Sequence, residues 1–302
     1  MREDQRAALI ETRARHPEAI AEAAAGRTRR PLLGDSGRML IIAADHPARG
    51  ALRVGDRSTA MADRFDLLDR LLTALGRPGV DGVLGTADVI EDLLVLGALD
   101  GKLAFGSMNR GGLVGSVFEM DDRFTGYDAA TIAAMGLDGG KMLLRVDPDD
   151  PLTAGTLEQC ARAVDDLAAH RTVAMIEPFM SYRTDGRVRN DLSPEAAIRA
   201  IAIASGLGST SAYIWLKVPV VADMERVMAA STLPALLLGG DHVGQAEEMY
   251  AKWEQALALP TVRGLVAGRT LLYPADDDVE AAVDTAVRHV RAAGGQMEVA
   301  LP

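Results

Sequence analysis

The repeated alternation of a short apolar run with a helical segment constrains the fold of this 302-residue chain more than any other feature. The runs are largely apolar throughout, which is typical of strands covered on both faces, and strict alternation with helices favours parallel pairing. Eight parallel strand–helix units close into a barrel, so we predict an α/β fold, a single (β/α)8 TIM barrel. The eight runs span residues 39–44, 82–84, 102–105, 141–144, 173–176, 213–216, 235–238 and 264–267.

The competing architecture is an open, doubly wound sheet. No G-x-G-x-x-G motif follows the first apolar run, and eight short strands of similar length suit a barrel better. Before the first run, residues 3–25 are rich in Ala, Glu and Arg with helical spacing and predict a helix that ends at Gly26. The predicted organisation is an N-terminal helical extension over residues 1–37 and a barrel domain over residues 38–302.

Composition argues against several classes of function. Asp and Glu number 43 against 32 Lys and Arg, and a formal charge of −11 is unfavourable for general nucleic-acid affinity. No apolar run approaches the roughly 18 residues of a membrane span, and the charged N-terminus lacks a secretory leader. Cys160 has no partner for an intramolecular disulfide or a thiolate metal cage. We expect a cytoplasmic protein without nucleic-acid or membrane partners, and a homo-oligomer, because such barrels often associate.

Lys217 is the residue that points most directly to chemistry. It lies within the otherwise apolar stretch 212–220, at the end of a strand-like run, in a chain whose only other lysines are Lys102, Lys141 and Lys252. Because this chain uses arginine for most of its positive charge, a lysine at a strand end indicates a role beyond charge. Burial favours the neutral form of an amine, and a neutral lysine amine attacks a carbonyl carbon to form a Schiff base.

Active sites of TIM barrels lie at the C-terminal ends of the strands, so polar residues predicted there are candidates. Lys217 would be the nucleophile, and a nearby second lysine would disfavour its charged form. Carboxylates would carry protons, while glycine N–H groups and an arginine would bind phosphate. The candidates are Asp45 after strand one, Lys141 and Arg145 flanking strand four, Glu177 after strand five, Lys217 after strand six, and Gly239, Gly240, Gly268 and Arg269 after strands seven and eight.

Each candidate also has a structural interpretation. Lys217 could extend its ammonium group to the barrel rim without reacting. Lys141 could bind phosphate as a point charge or form an ion pair with Glu177, and Glu177 could instead pair with a barrel arginine. Asp45 could be a helix cap or a turn residue.

The histidines give a weaker indication. His46 and His242 lie at predicted strand ends and could contact the substrate. Asp241-His242 is the best remaining fragment of a metal site, but no His-x-x-His or His-Glu-x-x-His spacing is present. We therefore expect neither a metal nor an organic cofactor.

Five strand-end segments are informative when they are taken together. They are Ile41-Ile42-Ala43-Ala44-Asp45-His46, Gly139-Gly140-Lys141-Met142-Leu143-Leu144, Ile176-Glu177-Pro178, Trp215-Leu216-Lys217-Val218 and Leu265-Val266-Ala267-Gly268-Arg269. In this order, across roughly residues 38–275, they resemble the strand ends of the class I aldolases grouped with deoxyribose-phosphate, tagatose-bisphosphate and sulfofructose-phosphate aldolases. Departures lie after strand one, where His46 replaces the usual Gln or Arg, and in segments 109–112 and 118–123.

The resemblance implies specific roles. Lys217 would be the Schiff-base lysine, Lys141 the second lysine, Glu177 the proton-shuttling carboxylate and Asp45 the strand-one acid. The sequence therefore predicts a carbon–carbon lyase that cleaves or forms a bond in a phosphorylated ketose or keto-sugar acid. The alternatives are a sugar-phosphate isomerase or epimerase on the same barrel, a metal-dependent aldolase, and a non-catalytic sugar-phosphate-binding protein.

Overall fold

The computed structural model describes residues 1–240 and 246–294. The strands in this part of the chain are β1 (Met39–Ala43), β2 (Gly82–Gly85), β3 (Leu103–Ser107), β4 (Gly139–Val146), β5 (Val173–Thr184), β6 (Arg187–Asn190), β7 (Ile214–Val218), β8 (Ala235–Leu238) and β9 (Val262–Ala267). The helices are α1 (Glu3–Arg15), α2 (Glu18–Gly26), α3 (Arg64–Gly76), α4 (Ala87–Val95), α5 (Ala129–Ala134), α6 (Leu152–Ala169), α7 (Pro194–Ser205), α8 (Met224–Met228), α9 (Ala246–Leu257), α10 (Arg269–Leu272) and α11 (Val279–Ala292), with a 3₁₀ turn at Pro47–Arg49.

Eight of the strands form a closed parallel barrel. The hydrogen-bonded order is β4-β3-β2-β1-β9-β8-β7-β5, and the pairing of β4 with β5 closes the ring. At least one helix follows each barrel strand before the next barrel strand or the end of the described chain. The prediction of a single (β/α)8 TIM barrel is confirmed. No helix within residues 1–240 and 246–294 is long and apolar enough to cross a membrane.

The apolar strand runs are continuous because each strand is buried on both faces. In β1, Met39, Ile41 and Ala43 belong to the cluster inside the barrel, which also holds side chains of β3, β5 and β7. Leu40 and Ile42 belong to the larger cluster between the strands and the surrounding helices. Successive side chains of a strand point to opposite faces, so one strand supplies both cores.

Two glycines extend β4 beyond its predicted start at Lys141. Gly139 and Gly140 pair with Phe105 and Gly106 of β3. A Cβ atom at Gly139 would lie 2.7 Å from a ring carbon of Phe105, so the glycine makes room for that ring. Lys141 and Arg145 are therefore both internal residues of β4, and the prediction that they flank the strand was wrong.

Two helix boundaries also differ from the sequence prediction. The helix predicted over residues 3–25 is two helices, because Pro17 has no N–H to donate and disfavours helical geometry at the preceding residue. After the first apolar run, the sequence predicts a helix from about Ser58 to Leu75. The observed helix α3 begins at Arg64, where the side chain of Asp63 accepts hydrogen bonds from two backbone N–H groups of the first turn. The division between extension and barrel at residues 37 and 38 stays a prediction.

Strand β5 runs eight residues beyond its predicted end at Ile176. It leaves the barrel as one arm of a β-hairpin whose other arm is β6, joined by a turn at Asp185 and Gly186. Both turn residues have positive φ, 48° and 72°, as a tight Asp-Gly hairpin turn requires. The hairpin projects past the C-terminal end of the barrel. Because its two arms are polar and mostly exposed, a search for apolar runs does not identify it.

The packing at Gly139 predicts the cost of adding one methyl group. Gly139→Ala should lower the free energy of unfolding by about 1–3 kcal/mol, because the new Cβ would overlap the Phe105 ring. The matched control is Gly155→Ala in α6, where a Cβ meets no atom within 4 Å and should stabilise the helix by about 0.5–1 kcal/mol. Urea denaturation followed by circular dichroism measures both values. Equal stability of the two variants would contradict this account of β4.

Candidate active site

Lys217 and Glu177 meet because they occupy equivalent positions on neighbouring strands. Ile176 of β5 is in register with Leu216 of β7, so the residues that follow them lie side by side. Both side chains extend from the inward-facing side of their strands toward the C-terminal end of the barrel. Lys217 Nζ donates a hydrogen bond of 2.9 Å to Glu177 Oε1, and Lys217 is only 5% exposed.

Lys141 reaches the same carboxylate from one layer lower. It is in register with Met175, two residues before Glu177, and its long side chain spans the difference. Lys141 Nζ forms an ion pair with Glu177 Oε2 and lies 3.4 Å from Asp45 Oδ2. Each oxygen of Glu177 therefore contacts a different lysine, and Lys141 links Glu177 to Asp45.

Arg110, which sequence reasoning did not identify, completes the group. Its guanidinium forms an ion pair with Asp45 Oδ2 and donates to the Asp45 backbone oxygen over 2.9 Å. It also donates to Ser107 Oγ over 2.8 Å, and that hydroxyl donates to Asp45 Oδ2 over 3.0 Å. Arg110 lies in the long loop after β3, which had no apolar pattern to place it. We call Lys217, Glu177, Lys141, Asp45 and Arg110 the charge cluster.

Burial and mutual charge set the ionisation of the cluster. Burial lowers the pKa of Lys141 to about 8, although Asp45 and Glu177 oppose that shift. Burial alone would raise the pKa of Glu177, but the two lysines outweigh it and hold that pKa below its usual range. Burial also acts to raise the pKa of Asp45, and Arg110 and Lys141 reverse that effect. Both carboxylates are therefore ionised at neutral pH.

His46 follows Asp45 at the edge of the cluster. Its Nδ1 is 3.9 Å from Asp45 Oδ1, too long for a hydrogen bond. Burial lowers the pKa of His46 to about 3, against the opposing effect of Asp45, so the imidazole is neutral at neutral pH. Its ring packs beside Gly268, where a Cβ atom would lie 3.0 Å from His46 Cε1.

The cluster lies in a large cavity at the C-terminal end of the barrel, with a volume of about 1310 Å³. Among the described residues, the lining includes ten basic and four acidic side chains. The chain as a whole has the opposite balance, with 43 acidic and 32 basic residues. A cavity of this charge, in an acidic protein, attracts a negatively charged ligand.

The residues predicted to bind phosphate line this same cavity. Gly239, Gly240, Gly268 and Arg269 lie at the ends of β8 and β9. The amide of Gly239, however, donates to the Val266 backbone oxygen over 3.1 Å, so its predicted use as a phosphate donor was wrong. Gly239 instead allows close packing, since a Cβ atom there would lie 2.8 Å from Ala267 Cβ. His242 lies outside the described residues.

Arg145 also lines the cavity, but its charge is largely compensated. It donates to Glu119 Oε1 over 2.8 Å and lies 3.9 Å from Asp122 Oδ2. Arg49 forms an ion pair of 2.5 Å with Asp122 and donates to the backbone oxygen of Gly112. These buried contacts fix the loop after β3 against β1 and β4, so the position of Arg145 has a structural explanation independent of phosphate.

Comparison with known proteins places this site in context. The family described as Cgl0159-like matches residues 37–287. The crystal structure of Cgl0159 from Corynebacterium glutamicum is 54% identical, with 97% of this chain and 98% of that chain covered and a TM-score of 0.95. No curated protein sequence matches the chain.

More distant structures share the fold. An archaeal fructose-1,6-bisphosphate aldolase, with its catalytic Lys covalently bound to the carbinolamine intermediate of the substrate, is 17% identical with a TM-score of 0.64. The match covers 90% of this chain and 99% of that chain. The fructose-bisphosphate aldolase from Slackia heliotrinireducens is 16% identical with a TM-score of 0.62, covering 100% of this chain and 94% of that chain. At these identities the likeness concerns the barrel alone.

Removal of the Arg110 charge should expose the dependence of the cluster on it. Arg110→Met should lower the free energy of unfolding by about 3 kcal/mol at neutral pH, because it leaves the buried Asp45 carboxylate undercompensated. The difference in the free energy of unfolding between Arg110→Met and the unsubstituted protein should become smaller as pH falls below about 4. Asp45 has a lowered pKa in the folded protein, so its stabilising contribution is present above the unfolded value and disappears on protonation.

The control for this substitution is Arg199→Met, which removes an arginine outside the cavity. It should change stability by less than about 0.5 kcal/mol. Chemical denaturation across a pH series measures both variants. A pH-independent loss in Arg110→Met would show that lost packing, rather than charge, explains its effect.

Proposed function

The chain belongs to the Cgl0159-like family, and we propose that it is a class I aldolase that acts on a phosphorylated ketose or keto-sugar acid through a Schiff base on Lys217. The observation that carries this proposal is the pair of buried lysines joined by one carboxylate at the C-terminal end of the barrel. A lysine nucleophile requires a neighbouring group that can take and return its proton, and this arrangement supplies one.

The first step is formation of the iminium. The neutral amine of Lys217 attacks the carbonyl carbon, the nitrogen gives up one proton, and the carbonyl oxygen takes up one proton to give a neutral carbinolamine. The carbinolamine then loses its hydroxyl as water, after a second protonation, and the nitrogen becomes a positively charged iminium. Lys141 is the proton donor for that hydroxyl because its pKa of about 8 makes both of its protonation states accessible near neutral pH.

The second step breaks the carbon–carbon bond. A base removes the proton from the hydroxyl on the carbon β to the iminium carbon, and that carbon–oxygen unit becomes an aldehyde. The electron pair of the broken carbon–carbon bond forms a double bond to the iminium carbon, and the former C=N π pair moves to the nitrogen, which gives a neutral enamine. Protonation of the enamine carbon and hydrolysis return the amine and release the second product. Glu177 and Asp45 are ionised and can accept protons, and Glu177 contacts both lysine nitrogens.

The phosphate of the substrate is proposed to bind beside β8 and β9. Gly240 and Gly268 bring backbone close to the cavity without side chains, and Arg269 begins the short helix α10. Backbone N–H groups and a guanidinium are suitable donors for phosphate oxygens. His46, neutral and next to Gly268, is proposed to contact the substrate between the phosphate and the charge cluster.

The related structures support this proposal at the level of fold. Two aldolases share the barrel, and in one of them a catalytic Lys forms a carbinolamine with the substrate. The position of Lys217 at the C-terminal end of the sixth barrel strand suits the same chemistry, because TIM-barrel enzymes assemble their active sites there.

Reductive trapping tests the Schiff base directly. The donors to be tested are dihydroxyacetone phosphate, glyceraldehyde phosphate, acetaldehyde and pyruvate. With at least one of them, borohydride should reduce the imine on Lys217 and leave the donor irreversibly attached. Peptide mapping is unambiguous because the chain has only four lysines. Lys217→Met should lose the adduct, whereas Lys252→Met should retain it, since Lys252 lines the cavity but pairs with Glu248.

Other outcomes of the trapping experiment discriminate between functions. An adduct on Lys141 would reverse the roles of the two lysines. Absence of an adduct with every donor, in a folded protein, would favour a sugar-phosphate isomerase or a binding protein, which need no imine.

The ionisation of Lys141 predicts the pH dependence of trapping. Lys141 can take the proton of Lys217 only when it is itself neutral, so the initial rate should rise with pH through about 8. Lys141→Met should lower the rate by roughly a hundredfold and remove the inflection. Lys252→Met should leave both unchanged. A wild-type inflection that persists in Lys141→Met would assign the titration to another group.

A further inference from the structure

The side chains of three arginines lining the cavity have no ion-pair or hydrogen-bond partner within residues 1–240 and 246–294: Arg53, Arg187 and Arg189. We call them the rim arginines, since all three are exposed. Elsewhere, exposed arginines are commonly paired; Arg13, for example, contacts both Glu91 and Asp92. In a chain with an excess of acidic residues, three cations at one opening that have no side-chain partner in the described part of the chain are an unusual concentration of positive charge.

The hairpin geometry turns two of these arginines into a pair. Arg187 and Arg189 are two residues apart on β6, opposite Thr184 and Tyr182 of β5. Side chains at this spacing lie on the same face of the strand, with Cα atoms about 7 Å apart. Two planar guanidinium groups so placed can donate to the oxygens of one phosphate or carboxylate.

The pair lies well above the reacting centre. Tyr182, the partner of Arg189, is five residues beyond Glu177 on β5, which corresponds to roughly 16 Å along an extended strand. Glu177 and the rim arginines line the same cavity. An elongated ligand held at Lys217 can therefore place its far end at the rim.

From these observations we infer that the rim arginines bind a second anionic group of the substrate, a phosphate or a carboxylate, at the end remote from the phosphate bound beside β8 and β9. The substrate class is then an open-chain sugar derivative with an anion at each end. This inference rests on the proposed function for the identity of the cavity as the substrate site, but the binding itself requires no imine.

Three compounds with one carbon skeleton test the inference: glucitol 6-phosphate, 6-phosphogluconate and glucitol 1,6-bisphosphate. They differ only in having a hydroxyl, a carboxylate or a phosphate at carbon 1, and none has a carbonyl that a lysine can convert to an imine. Isothermal titration calorimetry at low ionic strength should show at least one doubly anionic compound binding roughly tenfold more tightly than glucitol 6-phosphate. Added salt should reduce the preference, because the arginines are exposed.

Substitutions test whether the rim arginines cause the preference for a doubly anionic compound. Arg187→Gln with Arg189→Gln should bind all three compounds with similar affinity. The matched control is Arg171→Gln with Arg199→Gln, two arginines outside the cavity whose side chains also have no partner in the described part of the chain. The control should retain the wild-type preference. Tighter binding of 6-phosphogluconate would identify a carboxylate as the second group, and tighter binding of the bisphosphate would identify a phosphate.

Three results would overturn the inference: no preference in the wild-type protein, an unchanged preference in the rim variant, or no binding of any of the three compounds at millimolar concentration. Reductive trapping distinguishes a failure of this inference from a failure of the proposed aldolase function. A protein that traps a carbonyl donor on Lys217 but lacks the preference would be an aldolase without a rim site. A protein that shows the preference without trapping would bind a doubly anionic ligand without Schiff-base chemistry.

Discussion

The position of Glu177 between two buried lysines is the interaction on which the rest of the site depends. Two ammonium groups this close would repel each other, and burial would make both charges costly. One carboxylate oxygen for each nitrogen compensates both at once. Parallel register produces this geometry, since β5 and β7 place Glu177 and Lys217 side by side and β4 delivers Lys141 from one layer below.

The same accounting of charge explains which group titrates. Three cations and two carboxylates leave the charge cluster with one excess positive charge. Loss of a proton from Lys141 brings the cluster to neutrality, whereas protonation of Glu177 or Asp45 would increase the excess. The low pKa of both carboxylates follows from this excess of positive charge, whereas burial, opposed by Asp45 and Glu177, lowers the pKa of Lys141 to about 8.

The sequence predicts what repetition and burial control. Eight apolar runs identified the eight barrel strands, and strand-end placement brought Asp45, Lys141, Glu177 and Lys217 to one cavity before any contact was known. It did not identify Arg110, because a loop residue has no periodicity and its ion-pair partner Asp45 lies 65 positions away.

The β5–β6 hairpin was missed for a related reason. Its arms are short and polar, and the Asp-Gly turn at residues 185 and 186 is a local signal that becomes informative only once β5 is known to continue beyond the barrel. The amide of Gly239 shows the converse error. Its place at a strand end was right, but a hydrogen bond to Val266 had already used the donor that the sequence argument assigned to phosphate. Sequence position thus predicts proximity better than it predicts which atoms remain available.

The charge balance also constrains how Lys217 can act as a nucleophile. Attack on a carbonyl requires a neutral amine, yet the iminium that results is again positively charged and can remain paired with Glu177. If the proton of Lys217 passes to neutral Lys141 through the carboxylate that contacts both, the total charge of the cluster does not change during nucleophilic activation. When Lys141 then gives that proton to the departing hydroxyl, Lys141 becomes neutral again and the positive charge lies on the iminium nitrogen of Lys217. A buried site gains from this arrangement because proton transfer between two groups that share one counterion avoids creating an uncompensated charge in a medium of low polarity.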